Sequence, residues 1–197
     1  MTEQSFSLIP FPAPNIPEIS ITGTVSRQSH FISLRYMLTG QIEEIFLPLP
    51  SSQPRRTEEL WKTTCFEFFL ASKDQPQYWE FNMSPSGDWN IYRMDAYRRV
   101  GFREEPSIPS LQFEVQRKQD ALALNALVDL IPIFREDAVL EVGMTAVIQT
   151  KEGDESYWAL THPAPQPDFH LRESFILALP AHAAVPSGGS QETSVKV

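Results

Sequence analysis

Apolar runs in this sequence are short, and turn-forming residues separate them from one another. Between Ile19 and Leu179 each run has the length of a strand, and Pro, Gly, Asn, Asp or Ser stand between the runs. No run approaches the roughly 18 apolar residues that a membrane-spanning helix needs. This pattern predicts an all-β fold, and we expect two antiparallel sheets packed as a jelly-roll or immunoglobulin-like β-sandwich.

The pattern is densest at residues 60–99, which contain three of the four tryptophans. Apolar runs at 64–70 and 77–83 are separated by a polar segment with a proline, and a Ser-Pro-Ser-Gly-Asp turn precedes a third run at 89–97. Three consecutive strands joined by short turns make an antiparallel meander. We therefore expect these three strands to form the centre of the sandwich.

Alternation along these strands separates an apolar face from a polar one, because successive side chains point to opposite sides of a sheet. The apolar set predicts the core and consists of Phe66, Phe68, Leu70, Trp79, Phe81 and Met83. The opposite set includes Glu67, Glu80, Asn82 and Ser84, which recur at period two on central strands. We expect Glu67 to lie near Glu80 or Asn82 on the neighbouring strand.

This polar face predicts a binding site for a small hydroxylated ligand. Aromatic rings match the apolar C–H face of a sugar, while carboxylate, amide and guanidinium groups bind its hydroxyls. Trp61 and Trp89 stand at junctions between loop and strand, where binding residues concentrate. We expect one of them, with Tyr92 and Arg93, at the edge of the polar face.

The remaining strand-length runs complete one domain of 197 residues. They lie at 18–26, 30–38, 44–49, 111–118, 121–130, 140–149, 156–161 and 173–179. Residues 1–17 carry four prolines and predict an extended lead-in, whereas 100–110 predict an exposed loop. We expect the ligand-binding domain to span 18–179 and the polar segment 180–197 to be disordered.

Net charge, the N-terminal residues and cysteine content limit the expected partners, the expected location and the possible disulfides. The formal net charge of −9 argues against nucleic acid and disfavours an anionic membrane surface. The N-terminal residues lack the basic region and apolar core of a signal peptide, so we expect a cytoplasmic protein. The single cysteine, Cys65, excludes an internal disulfide, and its apolar strand predicts a buried small hydrophobic residue.

Two carboxylates on neighbouring strands also permit the hypothesis that the protein is a glycosidase. Glu67 and Glu80 could act as the acid and base of a glycosidase if their separation suited that chemistry. The commoner role for such residues is pairing with arginine, and Arg93, Arg98 and Arg99 are close in sequence. We therefore expect no catalysis.

Metal and haem sites are further alternatives. His162, Asp168 and His170 bound a proline-rich loop and could ligate a metal, although histidines at this spacing more often hydrogen-bond to hold a loop. Haem could take Met83 or Met94 with His162 as axial ligands, but Met83 is expected to point into the core and no haem-attachment motif is present. We expect no cofactor.

Three segments together resemble the DOMON-like domains related to family-nine carbohydrate-binding modules, in the branch labelled after UDP-N-acetylmuramate dehydrogenase. They read LWKTTCFEFFL, YWEFNMSPSGDWNIYR and YWALTHPAPQPDFHLRESFIL. The similarity covers about Ile19 to Leu179 and implies a β-sandwich of two antiparallel sheets. Members of the wider superfamily bind sugars against aromatic side chains, sometimes with structural calcium, or bind haem through Met and His.

The sequence thus predicts a non-catalytic module that binds a small carbohydrate or cell-wall sugar. The alternatives are a haem-binding electron-transfer domain, a glycoside-active enzyme and a protein-interaction module without a small ligand. The expected binding residues are Trp61, Glu67, Glu80, Asn82, Ser84, Trp89, Tyr92 and Arg93.

Overall fold

The computed structural model describes residues 3–73, 75–98 and 101–181. Its strands are β1 (Glu3–Ser7), β2 (Ile9–Pro10), β3 (Ile19–Gln28), β4 (Phe31–Gly40), β5 (Cys65–Ser72), β6 (Tyr78–Met83), β7 (Trp89–Met94), β8 (Arg103–Glu104), β9 (Phe113–Arg117), β10 (Ala121–Asp129), β11 (Leu140–Gln149), β12 (Glu155–Ala159) and β13 (Leu177–Leu179). Short 3-10 helices cover Ile42–Glu44, Leu60–Lys62 and Arg172–Ser174. None of the helices in this described part is long and apolar enough to cross a membrane.

The strands form two antiparallel sheets, which confirms the predicted β-sandwich. The smaller sheet has the order β1-β3-β4-β10-β9. The larger sheet has the order β2-β12-β11-β5-β6-β7-β8, with β13 pairing beside β11. The meander β5-β6-β7 lies within the larger sheet, as predicted, and β9 and β10 form the predicted hairpin.

The core lies between the two sheets and contains the apolar set predicted from alternation. Phe68 and Phe81 are fully buried and stack with ring centroids 4.3 Å apart. Tyr36 on β4 is also fully buried, and its hydroxyl donates a hydrogen bond across the core to the carbonyl oxygen of Glu67. This bond fixes the backbone of β5 against the smaller sheet.

The N-terminal segment belongs to the sandwich, which corrects the predicted domain start at residue 18. β1 pairs with β3, and β2 pairs with β12. Phe6 and Leu8 are buried in the main core. The prolines are compatible with this arrangement because β1 and β2 are edge strands, where a missing N–H costs little. The predicted disordered tail spans 180–197, of which 182–197 lie outside the described residues.

Three other segments differ from expectation. The run at 44–49 forms no strand; Ile45 makes a single bridge to Thr150, and prolines at 48 and 50 remove the donors that a longer pairing needs. The run at 173–179 starts in a 3-10 helix and pairs only over β13. The described part of the 100–110 loop is not wholly exposed, because it contains β8 and buries Glu105 and Ile108.

Candidate functional site

The polar side chains of the central strands meet on the outer face of the larger sheet, which points away from the smaller sheet. Strand register places Glu67 directly opposite Asn82, and Glu80 directly opposite Tyr92. The neighbouring position on β11, Thr145, stands opposite Glu67 on its other side. The expected proximity of Glu67 to Glu80 and Asn82 is therefore confirmed.

Loops cover part of this outer face and create a second, smaller apolar cluster. Its members are Phe69, Ala71, Tyr78, Tyr92, Met94 and Phe175. Phe175 lies over Gly143 of β11, where an added Cβ would come within 2.8 Å of the phenyl ring. The glycine therefore provides the space in which the 161–176 loop seats its aromatic side chain on the sheet.

A cleft of about 370 Å³ remains open between these loops, and we name it the carboxylate cleft. Its lining side chains are Trp61, Lys62, Glu67, Phe69, Glu80, Arg98, Phe102, Val147, Glu155, Tyr157, Pro167, Asp168, Phe169 and His170. The strands supply its carboxyl groups from below, and the loops supply most of its aromatic rings from the sides.

The aromatic side chains form two groups. Trp61, on the 3-10 helix Leu60–Lys62, makes an edge contact with Tyr92, with ring centroids 5.6 Å apart. Tyr92 in turn stacks on Phe102, with centroids 4.8 Å apart. Tyr157 on β12 makes an edge contact of 6.1 Å with Phe169. Because β12 and β7 are separated by β11, β5 and β6, the two groups flank the strands that carry the carboxyl groups.

Glu67 and Glu80 are buried carboxyl groups with few donors. Their side chains belong to residues only 2% and 5% exposed. Glu80 Oε1 accepts a hydrogen bond of 2.7 Å from Asn82 Nδ2, and Glu67 Oε2 accepts one of 3.4 Å from Thr145 Oγ1. No donor among the described residues reaches Glu67 Oε1. The two carboxyls therefore have unused capacity to accept hydrogen bonds.

Burial disfavours the charged form of both groups. It raises the pKa of Glu67 well above its ordinary value, and the nearby charge of Glu80 raises it further. Burial also raises the pKa of Glu80 to about 7. The pair therefore retains at least one proton near neutral pH, and its two titrations are linked.

Cations that could neutralise this pair have other partners. Arg98 forms an ion pair of 2.9 Å with Asp168, and Lys62 pairs with Glu59. Arg93 lies on the opposite side of the sheet, because its register partner is the core residue Trp79. The predicted pairing of the glutamates with arginine is thus wrong for Arg93 and Arg98, and Arg99 lies outside the described residues.

The loop at one rim of the cleft is held by a hydrogen-bond network. Nδ1 of His170 and the hydroxyl of Tyr78 share a bond of 3.0 Å, and the backbone N–H of His170 donates to Asp168 Oδ1 at 3.0 Å. Tyr97 and Arg98 also donate to Asp168. Burial, together with the positive charge of Arg98, lowers the pKa of His170 to about 4, so this imidazole is neutral near pH 7.

The structure brings together only some of the predicted binding residues. Trp61, Glu67 and Glu80 line the carboxylate cleft, whereas fully buried Asn82 orients Glu80, and Tyr92 supports Trp61. Binding by these residues stays a prediction.

Three predicted residues lie elsewhere. The hydroxyl of Ser84 is engaged in the following turn, where it accepts hydrogen bonds from Ser86. Trp89 and Arg93 lie on the other side of the sheet, since β7 alternates with Tyr92 outward; Trp89 is buried, and Arg93 is partly exposed and pairs with Asp95. Arg56 lies 4.3 Å above the Trp89 ring, and the Arg93 guanidinium lies 5.4 Å from the Trp79 ring.

The sequence reasoning missed several residues of the cleft. Tyr157 follows from alternation on β12 once its pairing with Val147 is known, but that pairing joins distant segments. Phe102 and Phe169 come from loops and carry no periodic signal. The sequence predicts His170 as a loop-holding residue or a metal ligand, and not as a residue of the binding site.

The metal and haem hypotheses find no support in the geometry. Within ranges 3–73, 75–98 and 101–181, no group of three His, Cys, Asp or Glu side chains could hold a metal ion. His162 hydrogen-bonds to the carbonyl of Ile9 at the β2 edge, whereas Met94 lies on β7 near the other edge and Met83 lies in the core. The loop-holding role expected for the histidines is the one observed.

No protein-family model and no curated protein matches the sequence. Solved structures with the same fold include a candidate carbohydrate-binding protein from Bacteroides uniformis, at 11% identity and a TM-score of 0.62 over 87% of this chain and 83% of that chain. A family-nine carbohydrate-binding module from Caldicellulosiruptor kristjanssonii in complex with glucose is 9% identical, with a TM-score of 0.52 over 87% and 81%. A family-nine module from the same organism in complex with cellotriose is 9% identical, with a TM-score of 0.50 over 82% of this chain and 74% of that chain.

Proposed function

We propose that the protein is a non-catalytic module that binds a small carbohydrate in the carboxylate cleft. The observation that carries this proposal is the combination of partly exposed aromatic rings, Trp61 and Tyr157, with two buried carboxyls at the base of one cleft. Two structures of similar fold contain glucose or cellotriose, which agrees with a sugar as ligand.

The cleft offers both kinds of contact that a sugar needs. Its volume of about 370 Å³ lies at the lower end of the range for small-ligand pockets, roughly 300–1,000 Å³. The rings present apolar faces to the C–H groups of a pyranose, while Glu67 and Glu80 accept hydrogen bonds from its hydroxyls. A ligand hydroxyl donating to Glu67 Oε1 would satisfy a buried acceptor, which favours the bound state.

The test is calorimetric titration of glucose, cellotriose and a panel of other mono- and disaccharides. We expect Trp61→Ala and Tyr157→Ala to weaken sugar binding by about tenfold or more, the effect of losing about 1.4 kcal/mol of contact. Phe46→Ala is the matched control, because Phe46 is 42% exposed and does not line the cleft. Tryptophan emission gives a second readout, since Trp79, Trp89 and Trp158 are buried.

Two outcomes contradict the proposal. If no sugar binds, or if both cleft variants bind like the wild type, a protein-interaction role becomes the better explanation. Recovery of each sugar unchanged after prolonged incubation is expected of a non-catalytic module; hydrolysis that is lost in Glu67→Gln would show an enzyme instead.

A further inference from the structure

The carboxylate cleft contains two buried carboxyl groups without a matching positive charge. Glu67 is 2% exposed, lines the cleft, and has one oxygen that no described donor reaches. Glu80 lies on the adjacent strand and receives one amide donor from Asn82. Carboxyl groups this deeply buried normally have cationic or multiple hydrogen-bonding partners.

The other charged and titratable groups around the cleft do not supply that cation. Arg98 and Lys62 pair with Asp168 and Glu59. His170, held by Tyr78, is neutral near pH 7. Of the remaining lining groups, Glu155 accepts from the Tyr157 hydroxyl and adds further negative charge. The described surroundings of the pair are therefore net acidic.

We propose that the cleft selects a sugar bearing a free primary amine, whose ammonium group binds between Glu67 and Glu80. This inference rests on the proposed carbohydrate function and names the class of sugar. An ammonium group has three donors and a positive charge, so it can satisfy Glu67 Oε1 and the Glu80 carboxyl together. Electron-rich faces of Trp61 and Tyr157 also favour a cation in the cleft.

Binding of an ammonium ion changes the protonation of the pair. In the free protein, burial keeps protons on these carboxyls near neutral pH. An adjacent cation favours the ionised form and lowers both pKa values, so the pair releases protons when the amine binds. A neutral sugar has no such effect on the pair.

The experiment compares three sugars of one ring type by calorimetry: glucosamine, N-acetylglucosamine and glucose. We expect wild-type protein to bind glucosamine at least about tenfold more tightly than either neutral sugar, the gain from charge-assisted hydrogen bonds. Titrations in two buffers of different ionisation enthalpy, at a pH just below 7, should show proton release for glucosamine alone. Glu67→Gln and Glu80→Gln should each reduce the preference, whereas Glu114→Gln, on exposed β9, should preserve it.

The outcomes separate this inference from the proposed function. Equal affinities for the three sugars, or a preference that survives both glutamine substitutions in the cleft, overturn the inference and leave carbohydrate binding intact. Binding of none of the sugars in this set or in the wider panel overturns both. If one variant fails to fold, as shown by thermal unfolding, the other variant and the wild-type proton release still decide the question.

Discussion

Two buried glutamates in the larger sheet region have opposite surroundings. Glu105 is 4% exposed, and its carboxyl accepts 2.8 Å and 2.9 Å hydrogen bonds from Trp79 Nε1 and the Ser107 N–H. Burial opposes ionisation of Glu105, but these donors outweigh it, and the pKa lies below its ordinary value. Glu67 is 2% exposed, lacks a donor at Oε1, and has a pKa raised well above its ordinary value.

The difference distinguishes a carboxylate whose hydrogen bonds the fold completes from a carboxyl group that the fold leaves incomplete. Burial is nearly equal in the two residues, so donors and neighbouring charges decide whether each is charged. Glu105 has its two donors and nearby Arg93, whereas Glu67 has the charge of Glu80 beside it. The fold satisfies Glu105 completely and thereby joins the 103–108 segment to the core residue Trp79. At Glu67 the fold leaves an acceptor incomplete beside an open cleft, which costs stability and which the proposed ligand would complete.

The largest expected effect follows from removing the satisfied carboxylate. Glu105→Leu keeps a similar volume but removes the acceptor of the buried indole N–H of Trp79 and of the Ser107 N–H. We expect a loss of about 3–5 kcal/mol in the free energy of unfolding, because each bond to a charged acceptor contributes about 1.5–3 kcal/mol. Urea denaturation measures it, with exposed Glu114→Leu as the control. A loss below about 1 kcal/mol would end the contrast between the two glutamates.

An intermediate effect is expected in the pH dependence of stability. The pKa of Glu80 rises from 4.5 to about 7 on folding, so its folded form holds a proton that the unfolded form releases over that interval. The contribution of Glu80 to stability is therefore fully present below about pH 4.5. It is lost as the pH rises to about 7, which lowers the free energy of unfolding by on the order of 3 kcal/mol. Denaturation midpoints measured across this range test the slope.

Glu80→Gln is the control for that slope, since the amide oxygen can still accept from Asn82. The variant should lose the part of the fall between pH 4.5 and 7 that comes from Glu80, whereas Glu67, whose pKa is also raised, keeps its own part. Glu105 acts in the opposite direction, because a lowered pKa gives stability that is present above the unfolded pKa and is lost in acid. An unchanged slope in Glu80→Gln would assign the pH dependence to groups other than Glu80.

The smallest effect on stability is expected at the incomplete carboxyl. Glu67→Gln retains the shape of the side chain and replaces a carboxyl group whose charged form burial already disfavours. We expect the free energy of unfolding near neutral pH to stay within about 1 kcal/mol of the wild-type value. Thermal and urea unfolding provide the measurement. A loss above about 2 kcal/mol would place Glu67 in the same structural class as Glu105.

The fold was predictable where the residue pattern within a single strand determines which side chains face the core. Period-two alternation placed Phe66, Phe68, Trp79 and Phe81 correctly in the core, because one face of each strand must be apolar. The edge strands β1 and β2 were missed since prolines dominate that segment, and pairing with distant strands decides its structure. The prediction that the 100–110 loop is exposed was wrong for the same reason, because Glu105 is buried by partners that are remote in sequence.

The cleft was predictable only from its strands. Alternation brought Glu67 and Glu80 to one face, but it could not show that loops would bury that face. Trp89 and Arg93 were assigned to the site because of their chemistry, although the phase of β7 opposes that assignment. Phe102 and Phe169 depend on loop paths, which local sequence does not determine.

Gly143 allows the 161–176 loop to be redesigned separately from the larger sheet on which it packs. The 161–176 loop seats Phe175 in the space above this glycine, and the same loop carries Phe169 and His170 to the cleft. A graft that keeps an aromatic ring at the Phe175 position can therefore change one wall of the cleft while β5 and β6 keep their carboxyl groups in place. The glycine thus fixes where a new recognition loop can be attached to an unchanged sandwich.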